Sequence, residues 1–172
     1  MTEPFTLALV GCGKTKLAHP APARDLYTGQ LFRAATEYVE QRFDRWAILS
    51  AKHGVVHPNR LLSPYDVAMA DLDAQARQSW GANVGAMARL GCGAFPRAVR
   101  AHFGCKPMRN NETFTTPDEA PPIRLVIFAG RPYVESLPKE WHDRFDIETP
   151  LAGLGIGQRL GWFAQQRREA AA

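Results

Sequence analysis

The stretch Leu7-Ala-Leu-Val-Gly-Cys-Gly-Lys-Thr-Lys16 constrains the fold more than any other, because an apolar run stops there at two glycines, a cysteine and two lysines. An apolar run of this length bounded by glycine reads as a buried strand, and strands buried on both faces belong to parallel sheets. It is expected to be the first strand of an α/β sheet, a class in which ligands bind outside the carboxyl ends of the strands. Gly11 and Gly13 allow close backbone approach, Cys12 sits between them, and Lys14 and Lys16 bring positive charge, so the turn suits an anion. It is neither a Walker loop, which needs four residues between its glycines, nor a dinucleotide fingerprint, which needs glycine where Lys16 stands. The plainer reading is a solvated turn whose lysines touch nothing.

Pro20 and Pro22 exclude a regular helix between Leu17 and Gly29, leaving a long loop with His19, Arg24, Asp25 and Tyr27 that suits a pocket wall. Equally, Asp25 or Thr28 caps the next helix and Tyr27 packs on the core. Leu31, Ala34, Ala35, Tyr38, Val39 and Phe43 recur at helical spacing, which predicts an amphipathic helix over Gln30–Phe43. Trp46–Ala51 then reads as a second strand, parallel to the first through a right-handed crossover. Its carboxyl end leads into a polar loop with Lys52, His53 and Gly54, then Ser63-Pro-Tyr-Asp66, where Pro64 stiffens the turn that holds Tyr65 and Asp66. Asp66 is either catalytic or the cap of a helix beginning near Val67.

Further on, Asp71–Leu90 has a helical composition, and a short helix over Phe95–Phe103 places Arg97, Arg100 and His102 along one side. Residues 104–122 read as a surface loop. Ile123–Ala129 is a third strand, ended by the loop Gly130-Arg-Pro-Tyr133, which brings Arg131 and Tyr133 to the same edge. Arg144–Glu148 is expected as a last, outer strand. The glycine-rich turn Pro150–Gly157 enters a final helix, Gln158–Arg168, packed through Leu160, Trp162 and Phe163; Gly155 and Gly157 either hold a phosphate or simply make a tight entry.

With 172 residues and 45% hydrophobic content, a single α/β domain over 1–172 is expected. Lys and Arg number 21 against 17 Asp and Glu, which favours an anionic partner over a cationic one. The three cysteines are irregularly spaced without a CxxC pair, so no disulfide framework is expected. Cys92, His102 and Cys105 lack the paired spacing of a zinc site, and no metal or other cofactor is expected. No basic segment precedes a long apolar run at the N-terminus and no stretch spans a bilayer, so a cytoplasmic protein without a membrane partner is expected. Nothing in the sequence fixes an oligomeric state.

Val10-Gly-Cys-Gly-Lys-Thr-Lys16, Pro22-Ala-Arg-Asp-Leu-Tyr-Thr-Gly29, Ile48-Leu-Ser-Ala-Lys-His-Gly54, Pro64-Tyr-Asp66 and Gly153-Leu-Gly-Ile-Gly-Gln158 together resemble a family of short bacterial and phage proteins. That family is related to the uracil-DNA-glycosylase-like superfamily, which includes DNA glycosylases, YaaA-like peroxide-stress proteins and a domain of archaeosine synthase. The last has a Cys-x-x-x-Lys motif to which Cys12 and Lys16 are similar. The resemblance implies a three-layer α/β sandwich with a mostly parallel central sheet and a base or nucleotide pocket at the strand ends. The chain departs from true uracil glycosylases in having neither Gly-Gln-Asp-Pro-Tyr-His nor His-Pro-Ser-Pro.

The leading expectation is an N-glycosidic-bond hydrolase, DNA glycosylase-like, acting on a modified base in nucleic acid (DNA before RNA) or in a nucleotide. Breaking that bond builds positive charge on the sugar and negative charge on the base, so the site needs a carboxylate, hydrogen-bond donors and an aromatic to stack on an extruded base. Asp66 and Asp25 are the candidate carboxylates and His53 a donor or proton carrier. Lys14, Lys16 and Lys52 are candidates to hold phosphate or the departing base, and Tyr27, Tyr65 and Tyr133 to stack on it. Gly13, Arg131 and Gly157 complete the candidate binding set. Cys12 reads as a small residue in a tight turn in preference to a nucleophile. Two other readings are a non-catalytic nucleic-acid-binding stress or defence module, and a transferase that builds a hypermodified base.

Overall fold

The computed structural model describes residues 4–90 and 122–171. The apolar run forms β1 (Phe5–Gly11), which lies at the centre of a five-stranded sheet. β3 (Trp46–Ser50) pairs parallel on one side of it and β6 (Ile123–Phe128) on the other. Beyond β3 lies the antiparallel β4 (Gly54–Val56); beyond β6 lies the parallel β7 (Asp146–Glu148). The sheet order is thus β4-β3-β1-β6-β7, with three-residue strands at both edges. A separate ribbon pairs β2 (Ala21–Pro22) with β5 (Leu61–Leu62).

Alternation along β1 assigns its side chains to two cores. Leu7 and Leu9 join Leu49, Leu125 and Ile127 on one face, where α3 (Ala74–Leu90) brings Trp80, Val84 and Ala88 at helical spacing. Two short helices, α4 (Arg131–Glu135) and α5 (Trp141–Arg144), complete that layer with Tyr133 and Trp141. On the opposite face Ala8 and Val10 join Ile48, Val126 and Phe128 beneath α2 (Gln30–Arg42) and α6 (Ile156–Ala171), with α1 (Ala23–Leu26) alongside. Tyr38 of α2 meets Trp162 and Phe163 of α6 at ring-centroid distances of 5.2 and 5.7 Å. Helices therefore cover both faces of a mixed, mostly parallel sheet. No helix among the described residues is long and apolar enough to cross a membrane.

Several local expectations are corrected. The 17–29 loop contains β2 and the single helical turn α1, because Pro22 precedes that turn, where a missing N–H costs nothing. Neither Asp25 nor Thr28 caps α2; Gly29 occupies that position without a side-chain bond. No helix begins at Val67: the chain stays extended to a 3-10 turn at Met69–Asp71, and α3 is capped by Asp73, whose Oδ1 accepts from the Ala76 N–H at 2.7 Å. Residues 131–135 are helical, with Pro132 in the first turn where proline is tolerated. The last helix starts at Ile156, and the outer strand at Asp146. The basic helix around Arg97, Arg100 and His102, Cys92 and Cys105, and nearly all of the 104–122 loop lie outside the described residues.

Gly81 of α3 packs against the backbone carbonyl of Ser136, and a Cβ there would be driven into that oxygen. Gly161 of α6 is exposed with open space around it. Gly81→Ala is expected to cost about 3 kcal/mol, since backbone must move, and Gly161→Ala to gain about 0.5 to 1 kcal/mol from helix propensity. Urea unfolding of the two variants checks the pair: their midpoints should move in opposite directions.

Candidate functional site

A cleft of about 340 Å³ opens at the carboxyl ends of β1 and β6. Its floor is the glycine turn Gly11–Lys14 together with Phe128, Ala129 and Gly130; its walls are Leu31, Phe32 and Ala35 of α2, Met69 of the 3-10 turn, and Pro132 and Tyr133 of α4. Leu151, Ile156 and Arg159 close the far side. Gly11 is required here because a Cβ on it would come within 2.9 Å of the Ala129 Cβ, so only glycine lets the two strand ends lie this close. The lining is predominantly apolar and aromatic. Among its residues the charged ones are Lys14 and Arg159, and no Asp, Glu or His contributes.

Arg159 belongs to the first turn of α6, where its Nε–H donates to the Leu154 carbonyl at 2.8 Å. No local signal marks Arg159 out, since it follows a glycine-rich turn but sits in no motif. The described residues offer no hydrogen-bond or ion-pair partner to its Nη atoms or to the Lys14 ammonium.

Beneath the glycine turn lies a hydroxyl and thiol network. Cys12 Sγ stands 3.0 Å from the Tyr133 hydroxyl, and the Tyr65 hydroxyl donates to the same sulfur at 3.8 Å. With that donation, the Tyr65 oxygen is left to accept from Ser50 and Tyr27, whose oxygens both lie 2.7 Å away. Ser50, fully buried at the end of β3, accepts from the His53 N–H at 3.0 Å, and its carbonyl accepts from Trp80 Nε1 at 2.8 Å. Five side chains from separated segments, Tyr65 at their centre, are thus joined. Chain pairing fixes Tyr27 in place: Leu17 N–H donates to Leu26 and Thr28 N–H to Thr15, which draws Lys16 over the rings. Its Nζ lies 4.4 Å from the Tyr65 centroid and 5.7 Å from that of Tyr27. Lys52 Nζ is 5.5 Å from the Tyr65 centroid, and the His53 ring meets it edge-on at 5.1 Å.

Burial pushes the tyrosine hydroxyls up, helped by the neighbouring Cys12 sulfur: Tyr27 to about 12, and Tyr65 and Tyr133 further still. All three hold their protons at neutral pH. Burial, with Lys52 and Arg60 nearby, lowers the His53 pKa and favours a neutral ring.

The expected residues therefore fall into distinct places. Cys12, Gly13, Lys14 and Tyr133 line the cleft. Lys16, Tyr27, Lys52, His53 and Tyr65 gather beside it, and Cys12 and Tyr133 link the two groups. Asp25 is exposed and lines a separate polar groove with Tyr27, Arg33 and the Arg24–Glu40 ion pair. Asp66 is exposed, two residues before the cleft-lining Ala68. Arg131 is exposed and paired with Glu135 at 2.6 Å. Gly157 is exposed beside Ile156 and is not among the lining residues. Tyr27 is only 1% exposed and packs in the core, so it presents no stacking face. Ser50, the buried hub beneath Tyr65, was not anticipated: a serine at a strand end carries no signal of its own.

The sequence pattern of the "Family of unknown function (DUF6884)" matches residues 7–104. The chain is 41% identical over 68 residues to the "Uncharacterized protein YfjM" of Bacillus subtilis (strain 168), a match that covers 36% of this chain and 45% of that protein. The matched region thus spans less than half the length of that relative. No solved structure matches at comparable significance.

Tyr65→Phe strips the junction of its central hydroxyl and leaves the buried Ser50 O–H without its acceptor, with an expected cost of about 1 to 3 kcal/mol in chemical denaturation. The intact protein has its own pH signature. An unfolded tyrosine releases its proton near pH 10, whereas folded Tyr27 keeps its proton to about 12. Above pH 10 the native state thus binds more protons than the unfolded one, so the network's contribution is complete below pH 10 and declines as pH rises through the folded values. Urea midpoints measured from pH 8 to 12 should fall only past 10; a decline already under way at pH 8 to 9 would contradict the raised hydroxyls.

Proposed function

We propose, for a chain that belongs to the Family of unknown function (DUF6884), a nucleobase-handling activity in which the cleft receives a base and the N-glycosidic bond to its sugar is hydrolysed. The observation that carries the reading is the cleft itself: an aromatic-lined cavity of about 340 Å³ with a cationic rim, at the ends of adjacent parallel strands. Helices on both faces of the sheet agree with the uracil-DNA-glycosylase-like fold that the motifs suggested, and that fold is part of the proposal. The base enters between Phe32, Met69 and Tyr133. Water bonds to C1′ as the C1′–N bond breaks, and the departing base takes a proton. With the Cys12 thiol donating to its oxygen, the protonated Tyr133 hydroxyl is left to donate toward the base. Asp66, exposed on the segment that feeds Ala68 and Met69 into the cleft, is the carboxylate assigned to the sugar cation or to water.

The absence of any acid among the described lining residues favours a second reading, a module that binds a base or nucleic acid without chemistry. One assay separates them. The protein is incubated with normal and modified duplexes and with free nucleotides, and free base or alkali-labile sites are measured. Release of base, lowered about a hundredfold by Asp66→Asn, is the expected result. Binding with no release from any substrate makes the protein a binding module; release that Asp66→Asn leaves intact removes Asp66 from the mechanism.

A further inference from the structure

From the charge arrangement of the cleft we infer that its ligand is a free nucleoside monophosphate, with the phosphomonoester held by Lys14 and Arg159. The inference rests on the base-pocket reading above and names the substrate class. Two observations carry it. First, the charged side chains among the described lining residues are two cations, no acid there offsets them, and neither ammonium nor guanidinium Nη atoms have a protein partner among the described residues. A site that keeps two cations unpaired is complementary to a dianion. A phosphomonoester carries about −1.5 to −2 charges at neutral pH and a phosphodiester carries one, so the monoester matches the rim and the polymer linkage leaves a cation over.

Second, a cavity of about 340 Å³ lies at the lower end of the range for small-molecule sites. A base alone leaves much of it empty, and base, sugar and one phosphate fill it. Arg159 is pre-aimed: its Nε bond to the Leu154 carbonyl fixes the guanidinium plane, and its Nη1 lies 3.6 Å from where a Cβ would stand on Gly130, at the end of β6. A planar fork held in this way suits phosphate oxygens, and glycine at position 130 leaves the approach open.

The test is a binding ladder by calorimetry on the full chain: the common ribo- and deoxyribonucleoside 5′-monophosphates, their nucleosides, their methyl phosphodiesters and inorganic phosphate. At least one monophosphate is expected to bind about tenfold or more tightly than its nucleoside and its diester. Arg159→Gln and Lys14→Gln should each abolish that advantage while nucleoside affinity stays the same. Lys14 is exposed, so its variant tests the point even where Arg159→Gln perturbs α6. Equal binding of nucleoside and monophosphate, a diester as tight as the monoester, or inorganic phosphate as tight as any nucleotide would each overturn the inference. Failure of the hydrolase reading looks different: there the ladder appears and no base is released. If base is released from duplex DNA while no monophosphate shows the advantage, the hydrolase stands and this inference falls.

Discussion

A strand buried on both faces meets solvent only at its ends, and that constraint on β1 sets out the rest of the molecule. Because Leu7 and Leu9 are claimed by one core and Ala8 and Val10 by the other, no side chain of the strand's middle is free for function. Whatever β1 does must happen where it stops. It stops at Gly11, which admits the close approach of Ala129, and at Cys12, which touches both cores. The cleft is the space that opens when two parallel strands end side by side and the helices that follow diverge to opposite layers.

The polar network below that space answers a separate demand. Hydroxyls buried among aromatic rings cost free energy unless each finds a partner, and the five side chains of the network, Tyr65 among them, meet that demand among themselves. Each comes from a different stretch: the turn after β1, the segment after α1, the end of β3, the approach to the 3-10 turn, and α4. The junction therefore reports on correct assembly of all of them, and it fixes the orientation of the two groups it shares with the cleft, Cys12 and Tyr133. Lys16 and Lys52 lie over the Tyr65 ring and stay outside the cleft, which leaves Lys14 and Arg159 as the lining cations.

What was legible in the sequence follows from how local each signal was. β1, β3 and β6 are continuous apolar runs and α2 a clear amphipathic repeat, so their existence and nearly their ends were readable. β4 is three residues of Gly-Val-Val whose pairing is dictated by the turn before it, and a run that short has no period to read. The segment after β6 reads as a glycine-plus-polar loop, and five residues are too few to show a helical period, although Pro132 is compatible with the first turn it occupies. Convergence of the strand-end segments is readable from topology: of Lys14, Asp66 and Tyr133, expected around one cavity, Lys14 and Tyr133 line the cleft and Asp66 stands two residues before its wall. Which wall each side chain joins is not: Asp25 turns to its own groove because it lies on the exposed side of the single turn α1, whose Ala23 and Leu26 are buried.

The three-residue strands at both borders of the sheet carry a consequence for the molecule in a crowded solution. A long, flat border offers a row of unsatisfied amides and carbonyls on which another chain can crystallise its own backbone, the first step toward fibrous association. Here each border offers too few such groups to nucleate that process, and Arg124 reaches across to Glu148 at the β7 side, placing charge where a foreign strand would have to dock. The same brevity that hid these strands from a periodicity search guards the parallel core they flank.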